Sequence, residues 1–128
     1  MNYEKILDQL KFDEKGLIPV ILQDIDNGEI LMFAFMNRES LQKTLETKLA
    51  TYWSRSRQKL WVKGESSGHT QEVKEIAFDC DHDCLLLKIK QNVAACHTGY
   101  RSCFFNHVVG DEVKEEGEKM FEENEVYK

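Results

Sequence analysis

The sequence predicts a single compact α+β domain, mainly antiparallel strands with a few short helices. Three observations carry that prediction. The chain has 128 residues, about the length of one domain. Hydrophobic residues make up 41%, enough to bury a core and too many for a disordered chain. Short strand-like runs bounded by turn residues recur along the chain, and no repeat, linker or low-complexity segment divides it.

Residues 3–10 place Ile6, Leu7 and Leu10 on one face, which predicts a short helix. Leu17 to Ile25 reads as a strand, with Pro19 near its start, where a missing N–H matters least. Asp26-Asn27-Gly28 predicts a tight hairpin turn, because Asn-Gly accepts positive φ at both central positions. Glu29 to Met36 is the returning strand. Asn37 offers its side-chain oxygen to the orphan N–H groups of a helix from Arg38 to Lys48, expected to bury Leu41, Leu45 and, just past its end, Leu49. Ala50 to Arg57 and Lys59 to Lys63 are aromatic-rich strands, and Gly64 to Gly68 is a loop. Gln71 to Asp79 and Cys84 to Lys90 are strands around an acidic corner. Val93 to Ser102 is irregular, and Phe104 to Val109 is the last strand. Residues 1–110 form the domain; residues 111–128 form an acidic tail compatible with a helix.

The formal net charge is −6, unevenly spread. Residues 111–128 hold 8 acids and 3 lysines, whereas Arg38 to His69 hold 7 basic residues against 3 glutamates. A nucleic-acid-binding chain would be basic throughout, so no nucleic-acid partner is expected; a local basic stretch suits a small anionic ligand. The longest apolar run, Ile30 to Met36, falls far short of the roughly 18 residues of a membrane span, and the charged start MNYEKILDQLKF lacks a signal-like apolar stretch. The expectation is a cytoplasmic protein with no membrane partner.

Asp79-Cys80-Asp81-His82-Asp83-Cys84 is the densest chemical run. In an extended strand the three aspartates share one face, with Cα atoms spread over about 13 Å. That is too far for three carboxylates to meet one ion held at roughly 2.1 Å, so a shared Mg²⁺ requires the chain to bend. Two of the carboxylates with water and a phosphate would also serve. An EF-hand is excluded, because its glycine position falls on Cys84 and its final glutamate position on Lys90. The alternative is an exposed acidic turn.

Cys80, Cys84, Cys96 and Cys103 lie within 24 consecutive residues. In a reducing compartment such clustering favours metal binding or catalysis over disulfides. No C-x-x-C pair is present. Three thiolates can hold Zn²⁺ at about 2.3 Å and leave a fourth position for water. Cys84 opens the apolar strand Leu85-Leu86-Leu87 and reads as a small buried hydrophobe; the other thiols could be the same. Strand alternation over Thr51 to Arg57 sets Trp53, Arg55 and Arg57 on one face, where two arginines can fork onto phosphate oxygens. Lys63-Gly64-Glu65-Ser66-Ser67-Gly68-His69 adds backbone N–H groups that can line an anion nest. The alternative is a polar hairpin with an exposed basic face.

Together the stretches ATYWSRSRQKLWVKGESSGHTQEV, DCDHD and ACHTGYRSCFF, in that order, resemble the phosphoribosyl-AMP cyclohydrolase family of histidine biosynthesis, from about Gly28 to Phe105. Val93 stands where the family pattern leads us to expect glycine. The tail is too short for the pyrophosphohydrolase domain fused in some relatives, so a monofunctional form is expected. The resemblance implies hydrolysis of the N1–C6 bond of the adenine ring in 1-(5-phosphoribosyl)-AMP, opening it to the formimino carboxamide product. It implies an intertwined homodimer with one Zn²⁺ and one Mg²⁺ per subunit. Zinc would be held by Cys80 of one subunit with Cys96 and Cys103 of the other, and Mg²⁺ by Asp79, Asp81 and Asp83.

On that reading His97, beside Cys96, is the first candidate for general base or proton shuttle and His69 the second. Arg55, Arg57, Lys63, Ser66, Ser67 and Gly68 would hold the two phosphates. Three thiolates leave the zinc centre with a net negative charge, so a nearby base or the cationic substrate ring is expected to help activate water. Two rivals are a closed zinc staple without chemistry and a nucleotide-binding regulatory domain.

Overall fold

Alternation along β1 (Leu17–Asp24) sets the frame of the molecule: Ile18, Val20 and Leu22 are fully buried, while Pro19, Ile21 and Gln23 are half exposed. A strand with one apolar face must find neighbours whose buried rows match. It finds two. Antiparallel β2 (Ile30–Asn37) sets Met36, Ala34 and Met32 opposite Ile18, Val20 and Leu22. Parallel β6 (Leu85–Gln91) sets Leu85 and Leu87 opposite Val20 and Leu22. Antiparallel β5 (Gln71–Phe78) completes a four-stranded sheet of order β2-β1-β6-β5. The computed structural model describes residues 3–122, and among these it shows the expected α+β fold. The parallel β1–β6 pair is the one strand pairing of the sheet that is not antiparallel.

Two helices border the sheet. The first, α1 (Glu4–Leu7), is shorter than its apolar pattern suggested, though Leu10 just beyond it is still buried. The second, α2 (Arg38–Thr47), begins as expected at Asn37. The Asn37 side chain accepts the Ser40 N–H at 2.8 Å, and the Ser40 hydroxyl accepts the Asn37 N–H at 2.9 Å, a reciprocal cap. The helix buries Leu41 and Leu45. Thr44 ties it to the next strand, because its hydroxyl accepts the Thr51 N–H at 3.0 Å.

A small sheet packs on this body: β3 (Thr51–Ser54) pairs antiparallel with β4 (Lys59–Val62). The buried Tyr52 of β3 donates its hydroxyl to Gln71 Oε1 at 2.5 Å, and Gln71 in turn donates to Gln91 Oε1 at 2.8 Å. The expected strand to Arg57 stops short. The Ser54 hydroxyl takes the Arg57 N–H at 3.2 Å, and Gln58 turns left-handed at φ 51°. Arg55 and Arg57 therefore sit in a turn, not on one strand face.

Two further expectations are corrected. Residues 25–29 form a five-residue loop between β1 and β2 in which Gly28 has φ 78° and Asn27 has no positive φ. The reason is local: the Asp24 carboxylate accepts the Asp26 N–H at 2.8 Å, and the Gly28 N–H reaches Asp24 O at 2.9 Å, which widens the turn. The acidic tail is not helical where it is described. Residues Glu112–Glu115 form β8, paired antiparallel with β7 (Asn106–Val109) across Gly110-Asp111. The signal is in the sequence: Gly-Asp flanked by valines is a hairpin dipeptide. The expected boundary at 110/111 thus falls inside a hairpin loop, and residues 123–128 of the tail lie outside the described residues.

Candidate active site

The acidic run bends, as one shared ion would require. His82 adopts φ 64° and its N–H returns to Asp79 O at 3.0 Å. Asp79 Oδ1 then accepts the N–H groups of Asp83 at 3.0 Å and Cys84 at 3.2 Å. The turn is pinned to the N-terminal segment, since Lys11 N–H donates to His82 O at 2.7 Å and His82 Nδ1 lies 2.8 Å from Gln9 O. As a result one carboxylate oxygen from each of Asp79, Asp81 and Asp83 lies within 4.8 Å of the others, all on exposed residues. Contact with Asp79, then desolvation and the Asp81 charge, push the Asp83 carboxyl up. Desolvation also pushes Asp79 up, but backbone N–H groups outweigh it and hold Asp79 down. A divalent cation would relieve this mutual repulsion. The three oxygen donors fit Mg²⁺.

The second cluster surrounds the loop after β6. Cys96 is buried and Cys103 half-buried, near enough for the Cys96 thiol to act on Cys103. Cys96 Sγ is also 2.9 Å from Thr98 Oγ1. Burial, then the neighbouring Cys96, push the Cys103 thiol up to about 12. A bound divalent ion would favour the thiolate form of its ligands. Two soft donors side by side fit zinc. Among the described residues no third ligand from the same chain joins them, and the aspartates alone form a converging group of three. Cys80 is exposed on the acidic turn; Cys84 donates weakly to the Leu85 carbonyl at 3.8 Å.

Lys63, Arg57, Ser66, Ser67, His97 and Cys103 line one cavity of about 350 Å³. This joins four of the six expected phosphate-binding residues with His97 and one of the expected thiols. Arg55 is not among them: its guanidinium stacks 4.1 Å over the Phe35 ring, in a neighbouring groove. Gly68 is held just behind, its N–H donating to Gly64 O at 2.7 Å. Gly64 must be glycine, since a Cβ there would lie 2.3 Å from the His69 carbonyl carbon. His69 is buried against Phe121, with ring centroids 5.1 Å apart, and its Nδ1 finds no partner. Burial first, and the Lys63 charge second, lower its pKa, so its neutral form is favoured. Lys63 points inward, donating to Ala95 O at 2.7 Å.

Sequence reasoning missed the clamp on the thiol loop. Arg101 pairs with the buried Asp24 carboxylate, and its Nη1 donates to Val93 O at 3.0 Å. Nothing in the local pattern marks Asp24, which lies far off in sequence, though Arg101 stands between Cys96 and Cys103. Burial pushes the Asp24 carboxyl up, but the Arg101 hydrogen bond, the Asp26 N–H and the guanidinium charge outweigh it and hold it below the usual value. Such a group stabilises the fold fully above its unfolded value of about 3.9, and the contribution fades as pH falls through the lower folded value. Asp24→Asn is expected to lose about 2 kcal/mol at pH 7, because the half-buried guanidinium then keeps only its longer carboxylate contact, with Glu29 at 3.6 Å. Urea melts should show that gap shrinking toward pH 3; a constant gap would refute the ion-pair account.

Val93 carries φ 65°, which explains the glycine expected there. A β-branched side chain in this region costs about 1–2 kcal/mol. After allowing for the entropy of a freer unfolded chain, Val93→Gly should stabilise the protein by about 1 kcal/mol. Thermal scans would show a rise of roughly 3–5 °C.

Comparison with known proteins agrees with the site. A family model described as phosphoribosyl-AMP cyclohydrolase matches residues 32–105. A phosphoribosyl-AMP cyclohydrolase from Methanococcoides burtonii is 63% identical over 121 residues, covering 94% of this chain and 98% of that protein. One from Desulfatibacillum aliphaticivorans is 58% identical over 122 residues, covering 94% and 98%. The histidine biosynthesis bifunctional protein HisIE of Thermoanaerobacter pseudethanolicus is 54% identical over 124 residues; these span 97% of this chain but 57% of that longer protein. With a model match over more than half its length and relatives this similar along almost all of it, the chain belongs to the phosphoribosyl-AMP cyclohydrolase family.

Proposed function

We propose that the chain hydrolyses the N1–C6 bond of the adenine ring in 1-(5-phosphoribosyl)-AMP, as a homodimer whose active sites use both copies. The observation that carries this reading is the Cys96–Cys103 pair opening, through Cys103, onto a cavity that also holds His97 and Arg57. A zinc ion on Cys96, Cys103 and a partner copy's Cys80 would supply Lewis acidity that makes water nucleophilic near neutral pH. Cys80 suits the shared role because it stands on an exposed turn while the other two thiols lack a third ligand from their own chain among the described residues. Large apolar side chains left exposed, including Phe33, Phe104, Val108 and Val113, support a partner copy.

The other residues follow from where they stand. His97 lines the cavity beside Cys103 and is suited to take the proton from the attacking water and return it to the ring nitrogen. Arg57 and the serines of the 64–68 loop face the same cavity and suit a phosphate. The aspartate trio would hold Mg²⁺, which would supply positive charge for the second phosphate. Ribosylation at N1 makes the ring cationic and C6 more electrophilic, which favours attack there.

Following the purine absorbance with phosphoribosyl-AMP tests the reading. Turnover should vanish when a chelator strips the protein and return with zinc. A stable dimer with bound zinc and no turnover would instead support a structural staple. Nucleotide binding without product would support a regulatory domain.

A further inference from the structure

Lys63 occupies a position where a positive charge is costly. Its residue is 9% exposed, and no carboxylate among the described residues pairs with it. Buried lysines rarely occur without a counter-charge. One of its three donors goes to Ala95 O at 2.7 Å, next to Cys96 in the chain. Its ammonium also lies 5.7 Å from the Trp61 ring centroid. Cys103 lines the same cavity as Lys63, and the Ala95 carbonyl ties the ammonium to the residue before Cys96. A carbonyl and an indole leave the ammonium without an anion. A thiolate metal site on Cys96 and Cys103 would put that anion beside it. Three thiolates around one divalent ion carry a single net negative charge, which one ammonium cancels.

We propose that Lys63 is the built-in counter-ion of the thiolate metal site, a positioning residue that acts through Cys96 and Cys103. This rests on the zinc reading above and deepens it. It also assigns Lys63 away from the phosphate role that its place in a basic stretch suggested. The charge imbalance that three thiolates create is met inside the protein before any substrate arrives. Removing the ammonium should weaken zinc binding while sparing the metal-free fold, because a desolvated charge is then no longer stranded in the apoprotein.

The test measures zinc affinity of the purified dimer by chelator competition, with no nucleotide present, alongside urea melts of the metal-free protein. Lys63→Met should bind zinc about 10–100-fold more weakly, with an apoprotein at least as stable as the parent. Lys63→Gln, which keeps a donor for Ala95 O but no charge, should weaken zinc to a similar degree, and Lys63→Arg should retain most of the affinity. Neutral variants that bind zinc within about twofold of the parent, whatever their KM, would overturn the counter-ion role and leave the zinc reading standing. A parent protein that binds no zinc would overturn both. Failure of the metal-free Met and Gln variants to fold would assign Lys63 to the scaffold and likewise overturn it.

Discussion

Mixing a Cys80→Ala protein with a Cys96→Ala protein should restore activity that neither has alone. On the proposed zinc site each substitution removes one of three thiolates, and each homodimer should fall by at least ~10³-fold, the several kcal/mol that a metal contributes to a barrier of this kind. In the exchanged dimer the two lesions meet in one site. The other site keeps Cys80 from the Cys96→Ala copy and the Cys96–Cys103 pair from the Cys80→Ala copy. Half of randomly exchanged dimers are mixed and each mixed dimer has one sound site, so recovery should approach about a quarter of the parent rate. Zinc content should rise in parallel. If each site drew all its ligands from one chain, no pairing of these lesions could produce an intact site, and the mixture would stay dead.

The second large effect concerns His97. Its removal should lower kcat about 10²–10⁴-fold, the range for loss of a positioned acid or base. KM and zinc content should change little, because the side chain lines the cavity without belonging to the thiol pair. His97→Gln, which keeps polarity without a titrating group, should not recover the rate. A drop of less than about threefold would move the role elsewhere. His69 would be the next candidate, with its buried Nδ1 still lacking a partner.

Much of this site is visible in the chain itself. The residues proposed as metal ligands stand out by type and clustering. Asn37 as a cap and the alternation of β1 are visible because they depend on neighbours in sequence. What stayed hidden depends on distant residues. The β1–β6 pair runs parallel because their buried rows match across the sheet, which no local pattern encodes. Arg55 and Arg57 part company because a serine hydroxyl ends β3 early. Lys63 looks like one more surface cation until the fold turns it inward onto Ala95. The β7–β8 hairpin was legible, but its Gly-Asp signal was outweighed by the acidity around it.

The parallel alignment of β1 with β6 also governs the order of assembly. Its two strands meet only after the intervening hairpins and helix have been made, and such long closures are slow relative to local turns. Cys96 and Cys103 lie beyond β6, and Cys103 N–H is fixed to Leu31 O of β2 at 2.7 Å. The loop that carries both thiols closes on itself, Ala95 N–H donating to Arg101 O at 2.9 Å, so what waits for the sheet is its seat on β2 and not its local shape.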